Sequence, residues 1–498
     1  MPFSVPHLSQ APFQPRHPDK LFIGNAWVEP SSDQKLTVIS PVSEEVVAQA
    51  PAAVEADVDR AVAAARAAFD HGPWPRMTVS ERAGYLRAFA RELSARADAL
   101  TYLWTLEAGV AHMFASRVTE NCGAIMDLYA NELERTQLVE VRERTGGGVA
   151  LITQEPVGVV AAVVPWNAPV FLAAIKVGAA LAAGCTVVVK PAPETPLDAY
   201  ILAECAEAAG LPAGTLSIVA ADRAASNHLV SHPGVDKVTF TGSTVTGKHI
   251  MKTCADRMAR VTLELGGKSA AVILDDFSVE DAIPGVVGQF MNNSCQACVT
   301  LSRILVPRAR MADFEEGLAG AVQTVKIGDP FDPATQMGTI AMQRQFDRIN
   351  DYIRIGKAEG AKLVAGGGRP DHLDRGYFIA PTLFSGANHM RIAREEIFGP
   401  VLTLIPYDTV DEAIDMANDT PYGLHGAVFT KDEERAYQLA RRLRTGSVGL
   451  NGNTMDLTMP FGGWKESGIG REGGAEGLHS FFEEKTIFLP KAPRSLST

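Results

Sequence analysis

Among the six cysteines of this 498-residue chain, only Cys295 and Cys298 stand close enough in sequence to act together. A lone CxxC serves as a redox couple, as half of a zinc site, or as two buried and inert thiols. Structural zinc needs two further ligands at suitable spacing, and His249 and His372 supply no such pattern, so no metal is expected. Glu264 lies inside the apolar run VTLELGG, where burial would raise a carboxyl toward the pKa of a useful base. Lys190 directly follows the run TVVV, and a charge that ends a buried strand normally has a ligand or a partner.

Three glycine patterns compete for a phosphate. Gly468, Gly470 and Gly473 satisfy GxGxxG, yet no strand leads in and too little chain follows for a βαβ unit, so they read as a loop. Gly242 to Lys248 falls one residue short of a nucleoside-triphosphate loop, because His249 stands where a magnesium-binding Ser or Thr belongs. A third reading keeps the physics of that stretch. After the strand-like KVTFT, Gly242 lets the backbone approach a phosphate and the next helix presents its amide-rich start, which suits a dinucleotide pyrophosphate. The plain alternative is an ordinary strand-to-helix turn.

Placing such residues takes a scaffold. Val58, Ala61, Val62, Ala65 and Phe69 recur at helical spacing and Thr78 with Glu81 forms a capping box, so the first hundred residues are expected to be helix-rich. From Gly158 the runs GVVAAVV, TVVV, TLSIV, KVTFT and SAAVIL alternate with helical stretches, which implies an α/β fold with a parallel, doubly wound sheet. After Cys298, the runs RILV, GAVFT and GSVGLN, with a helix from Gln343 to Glu359, imply a second α/β domain. Ligands of an open parallel sheet bind beyond the carboxyl ends of its strands, which singles out Pro165-Trp166-Asn167, Lys190 and Gly242-Ser243-Thr244.

The stretch from Gly158 to Gly184 carries one charge, Lys176, and is long enough to raise a membrane question, but Pro165, Asn167 and Pro169 interrupt it. A strand followed by a buried helix explains it, and no membrane is expected. Five prolines between Pro2 and Pro18 make the start a tail without a signal-peptide core. With 46 basic against 58 acidic residues the net charge of -12 repels nucleic acid, and the sparse cysteines fit a reducing cytoplasm.

Longer motifs narrow these alternatives. GlnAlaCys at 296–298, ThrLeuGluLeuGlyGlyLysSer at 262–269, ProTrpAsn at 165–167, PheThrGlySerThr at 240–244, GluGluIlePheGlyProVal at 395–401 and ProPheGlyGlyTrpLysGluSerGlyIleGlyArgGlu at 460–472 resemble aldehyde dehydrogenase signatures. They follow the family's order from about Leu21 onward. The resemblance implies that Cys298 is the nucleophile, that its backbone amide and Asn167 hold the oxyanion, and that Glu264 activates the water that hydrolyses the thioester. It further implies NAD(P), with Lys190 on the adenine-side ribose, Ser243 on the pyrophosphate, Glu396 on the nicotinamide ribose and Phe398 against the ring. Trp166, Glu194, Gly242 and Gln345 belong to the same cofactor set. Retention of Glu264 argues against a coenzyme A-acylating enzyme, and the intact Cys298, Glu264 and Asn167 argue against a non-catalytic member of the fold.

Three departures are informative. NAD-preferring members often carry Glu three residues after the lysine, where this chain has Pro193 and then Glu194; the displaced carboxylate favours NAD but leaves NADP open. ValAlaAlaAspArg at 219–223 lacks the glycines often found there, so its cofactor contacts do not carry over. Cys295 replaces a usual Gly and sets a thiol near the nucleophile, able to form a reversible disulfide.

By alignment of the motifs, Ala168, Leu172, Ile175, Ala297, Met455 and Phe461 line the aldehyde pocket. Their uncharged, mostly small or aliphatic character suggests a medium-sized hydrophobic aldehyde. The resemblance also implies a tail over 1–20, a Rossmann-type cofactor domain over 21–133 and 154–266, a catalytic domain over 267–475, and a small β element over 134–153 and 476–498. Through the runs at 138–143 and 486–490 that element would build a homodimer or homotetramer.

Overall fold

The computed structural model describes residues 5, 7–453 and 455–496. The apolar stretch after Gly158 divides into a fully buried strand, Val159–Val163, and a helix, Pro169–Ala183. Pro169 stands in the first turn of that helix, where its missing N–H costs nothing, and Gly184 closes the helix at φ 94°. Among the described residues no helix is long and apolar enough to cross a membrane.

The Val159–Val163 strand is central to an eight-stranded sheet. Five of its strands are parallel, in the spatial order Arg260–Glu264, Lys237–Thr241, Val159–Val163, Thr186–Lys190 and Leu216–Ile218. The middle three are buried along their whole length, as expected where helices cover both faces. Antiparallel additions finish the edges: Leu21–Ile23 and Ala26–Val28 on one side, Gly468–Ile469 on the other. Gly468 sits at φ 149°, and a Cβ there would come within 2.1 Å of the Leu263 carbonyl, so this glycine is required by close backbone pairing. The loop reading of Gly468 to Gly473 therefore gives way, at its start, to a short edge strand.

A second, seven-stranded sheet contains Thr382–Ser385, Val401–Tyr407, Leu301–Pro307, Ser269–Ile273, His425–Phe429 and Ser447–Leu450 in parallel, with Lys362–Ala365 antiparallel at its edge. The run SAAVIL, grouped by sequence with the first sheet, thus belongs to the second. Its apolar pattern suits either sheet, and only the turn through Leu265–Lys268 separates it from the strand ending at Glu264. A third sheet joins Val139–Glu143, Val149–Pro156 and Phe482–Leu489, all antiparallel.

The first hundred residues hold the expected helices together with strands that were not expected. Four short strands, at Leu21–Ile23, Ala26–Val28, Lys35–Ile39 and Val46–Pro51, precede the helices Glu55–His71, Val79–Ala95 and Ala97–Ala108. The capping box is formed: Thr78 Oγ1 accepts from the Glu81 amide at 3.3 Å, and the Glu81 carboxylate accepts from the Thr78 amide at 2.8 Å.

Candidate active site

Between the first two sheets the chain gathers the residues singled out by sequence. Glu264 is the last residue of its strand and is 2% exposed, and neither carboxylate oxygen has a hydrogen-bond partner. Burial, reinforced by the negative charge of Glu472, raises its carboxyl well above the usual range, while Lys176 and Arg471 oppose that shift. Gly462 packs directly on it: a Cβ there would lie 2.8 Å from Oε1.

Cys298 approaches from the other side, half-buried, three residues before the strand Leu301–Pro307. Its carbonyl oxygen would lie 2.4 Å from a Cβ on Gly267, which explains the glycine between Glu264 and the second sheet. Burial, with the Glu264 and Glu396 carboxylates facing it, pushes the Cys298 thiol up to about 12, so the resting sulfur holds its proton.

The preceding turn is unusual, because Asn293, Ser294 and Cys295 are consecutive non-glycine residues with φ of 51°, 53° and 59°. Left-handed conformations cost L-residues roughly 1–2 kcal/mol each, so surrounding bonds must hold them. Asn293 Nδ2 donates to the Asn167 carbonyl at 2.7 Å, Asn167 Nδ2 donates to the Gln296 carbonyl at 2.9 Å, and Gln296 Oε1 accepts from the Ala341 amide at 2.9 Å. One of Asn167's two amide protons is therefore spent on this turn.

Cys295 and Cys298 are both free thiols. Cys295 donates to the Gln289 carbonyl at 3.2 Å and packs in the core beside Phe290 and Leu301.

The remaining predicted residues are each held by local contacts where the two sheets meet. Lys190 ends its strand 6% exposed, donates to the Pro191 carbonyl at 2.7 Å, and is pushed by burial down to about 8. Glu194 is ion-paired with Arg344 at 2.7 Å. The Gly242 amide donates to the Glu264 carbonyl at 3.0 Å, and Ser243 caps the helix Thr244–Ala255. Lys248 of the near-P-loop turns to Glu466 instead, at 2.8 Å. Glu396 accepts from the Gly267 amide at 3.0 Å, and burial raises its carboxyl. Phe398, at φ 61°, meets the Trp166 ring edge-on with centroids 5.4 Å apart. Gln345 donates to the carbonyls of Ile397 at 2.9 Å and Phe398 at 2.8 Å, so its amide protons hold this turn.

Of the pocket candidates, Ala168, Leu172, Ala297 and Phe461 are half-buried and Met455 is exposed. Ile175 is 3% exposed inside the main hydrophobic core, where packing accounts for it.

Sequence reasoning missed the charged group behind Glu264. Lys176 is in ionic contact with Glu472, and Thr239 Oγ1 donates to the same Glu472 oxygen at 3.3 Å. The signal for Lys176 was present: it is the single charge in the apolar stretch 158–184. Elsewhere, Asp59, His228 and His232 bring three ligand-type atoms within 4.8 Å of one another. His232 Nδ1 accepts from the Gly234 amide at 3.0 Å, which leaves the proton of the neutral ring on Nε2 facing Asp59, so the trio is a hydrogen-bonded cluster rather than a cation cage.

The aldehyde dehydrogenase family model matches residues 27–487. The chain belongs to the aldehyde dehydrogenase family. It is 44% identical to geranial dehydrogenase of Castellaniella defragrans over 471 residues, covering 94% of this chain and 98% of that protein. Among solved structures, a Mycobacterium tuberculosis aldehyde dehydrogenase complexed with NAD+ superposes with a TM-score of 0.92 at 44% identity, covering 95% of this chain and 98% of that one. A mutant of Pseudomonas syringae aldehyde dehydrogenase C in complex with NAD+ and octanal gives 0.91 at 38% identity, covering 97% and 99%. This aldehyde dehydrogenase is accordingly an oxidoreductase acting on aldehydes.

Proposed function

We propose that this aldehyde dehydrogenase oxidises a medium-sized, hydrophobic aldehyde to the carboxylic acid, with NAD, through a covalent thioester on Cys298. The observation that carries the reading is the convergence of a half-buried thiol, an unpartnered buried carboxyl and a carboxamide, delivered by separate strand ends to one groove. The resting thiol loses its proton to a nearby base, for which Glu264 is placed and raised in pKa. The sulfur adds to the carbonyl carbon, and the oxyanion takes the Cys298 amide and the second Asn167 amide proton. When bound, the nicotinamide supplies the two-electron acceptor for the hydrogen on that carbon. Glu264 then takes a proton from water as it attacks the thioester, and Cys298 leaves as thiolate.

The groove suits a dinucleotide. The helix starting at Thr244 opens with a Ser243 cap and has no acidic residue in its first turn, so its amides face a pyrophosphate without opposition. Lys190 and Glu194 would serve the adenine-side ribose, Glu396 the nicotinamide ribose, and Phe398 with Trp166 the ring. Gly242 gives backbone access, and Gln345 supports Phe398 from behind. Structural relatives holding NAD+ support the same cofactor here.

The pocket reading rests on Ala168, Leu172, Ala297, Met455 and Phe461, without Ile175, and is supported by a relative named for geranial and by a structural relative complexed with octanal. We assign 21–133 and 154–266 to cofactor binding, 267–475 to catalysis, and 134–153 with 476–498 to assembly of a homodimer or homotetramer in the cytoplasm, although the strand Val149–Pro156 of the three-stranded sheet runs past the 153/154 boundary.

Reduction of NAD followed by absorbance, with geranial, octanal and benzaldehyde against betaine aldehyde, tests the function. Higher kcat/KM for the apolar aldehydes supports the reading, and preference for betaine aldehyde defeats the substrate assignment.

A further inference from the structure

The ion pair between Glu194 and Arg344 joins the two halves of the groove. Glu194 lies in the turn between the Lys190 strand and the helix Leu197–Ala208, whereas Arg344 stands in the first turn of the helix Gln343–Ala358, which packs with the second sheet's residues. Its neighbours on that helix are turned inward. Gln345 holds the Ile397–Phe398 turn, and Arg348 donates to the Glu396 carbonyl at 2.6 Å. Arg344 alone of the three reaches across, remaining 69% exposed along its side chain, with its Nη2 2.7 Å from the Glu194 carboxylate.

The charges at this corner are few. Lys190 is buried at the strand end, and Glu194 and Asp222 both act on it. Asp222 is committed to capping the helix Arg223–Ser231, accepting from the Ala225 amide at 3.0 Å. Glu194 is thus the carboxylate free to meet a ribose, and a guanidinium opposes it. An unopposed carboxylate accepts from a 2′-hydroxyl and repels a 2′-phosphate, which is how charge separates NAD from NADP. A guanidinium paired with that carboxylate cancels the repulsion and, with donors to spare, can itself bind phosphate.

We propose that Arg344 is a specificity-determining residue of the cofactor groove: by neutralising Glu194 from the opposite side, it opens the adenine-ribose corner to the 2′-phosphate of NADP as well as to NAD. The inference rests on the reading that this groove binds the dinucleotide with its adenine-side ribose near Lys190. It assigns the determinant to a residue outside the strand-end motif, about 150 positions along the chain from Glu194.

The test uses the full chain and compares wild type with Arg344→Gln, Glu194→Gln and the double variant. For each, kcat/KM with NAD and with NADP is measured at one saturating aldehyde concentration, and the Kd of each dinucleotide is taken from quenching of tryptophan fluorescence. Arg344→Gln is expected to lower the NADP-to-NAD ratio of kcat/KM about five- to tenfold, chiefly through the NADP constants, because the exposed carboxylate then faces a doubly charged phosphate. Glu194→Gln, which frees the guanidinium, is expected to raise the ratio by a similar factor, and both shifts shrink with added salt.

An equal change for both dinucleotides would make the pair a simple clamp and overturn the proposal, as would a wild-type enzyme that binds NAD but not NADP. Wild-type binding of neither would remove the cofactor reading itself, and the inference with it.

Discussion

The two large sheets are built alike and used oppositely. In the first, the catalytic candidates and the main cofactor candidates lie at or just past a carboxyl end: Asn167 after Val159–Val163, Lys190 closing its strand, Ser243 after Lys237–Thr241, and Glu264 closing its own. In the second, they lie before amino ends: Cys298 ahead of Leu301–Pro307, and Glu396 with Phe398 ahead of Val401–Tyr407. One sheet thus presents strand ends and the other strand beginnings to a shared groove. The rule that ligands gather beyond carboxyl ends finds half of this site and is blind to the other half.

Removing a group from each side separates their duties, and the largest loss is expected at the sulfur. Cys298→Ala should lower aldehyde oxidation at least about a thousandfold while leaving dinucleotide binding measurable by fluorescence. The same contrast appears in labelling: iodoacetamide under native conditions should modify Cys298 and spare Cys295, as a peptide map would show, because only Cys298 lies outside the core. From the first sheet, Glu264→Gln should slow turnover about a hundredfold or more. Thioester hydrolysis would become limiting, and mass spectrometry of the intact protein should reveal the accumulated acyl-enzyme.

A smaller effect concerns pH. Glu264 acts as a base only when ionised, and burial with Glu472 raises its pKa, so kcat should rise with pH through an acid limb set above the ordinary carboxylate range. Glu472→Gln removes the negative neighbour and should move that limb to lower pH; a limb that stays put would detach Glu472 from Glu264. Smallest of all, Gly242→Ala should raise KM for NAD about three- to tenfold with kcat little changed, since the new Cβ would meet the Phe240 ring at 2.4 Å and the ring must shift.

Much of this was legible in the chain. Long motifs identified the family, and alternating apolar runs located about half of the strands in the two large sheets. Apolar pattern alone grouped the run SAAVIL with the first sheet, because a fully buried parallel strand carries no mark of which sheet buries it, whereas the boundary at 267 implied by the family resemblance put it with the second. Glu472 escaped notice because its partner, Lys176, lies 296 positions away, and a motif dense in charge conceals which member is buried. Ile175 was read as pocket because alignment of motifs carries a position over without saying what its side chain meets, and here it meets the main core. The left-handed turn before Cys298 left no sign either, since Asn293, Ser294 and Cys295 are not glycine.

The segment Leu265–Lys268, which carries the chain from one sheet to the other, also acts as a spacer. Its two glycines are fixed by contact rather than chosen for freedom, Gly266 against the Glu396 carboxylate and Gly267 against the Cys298 carbonyl. A side chain on either glycine would have to push the Glu396 carboxylate or the Cys298 backbone aside, so the length of this crossing and its lack of side chains set how closely the second sheet's residues approach Glu264.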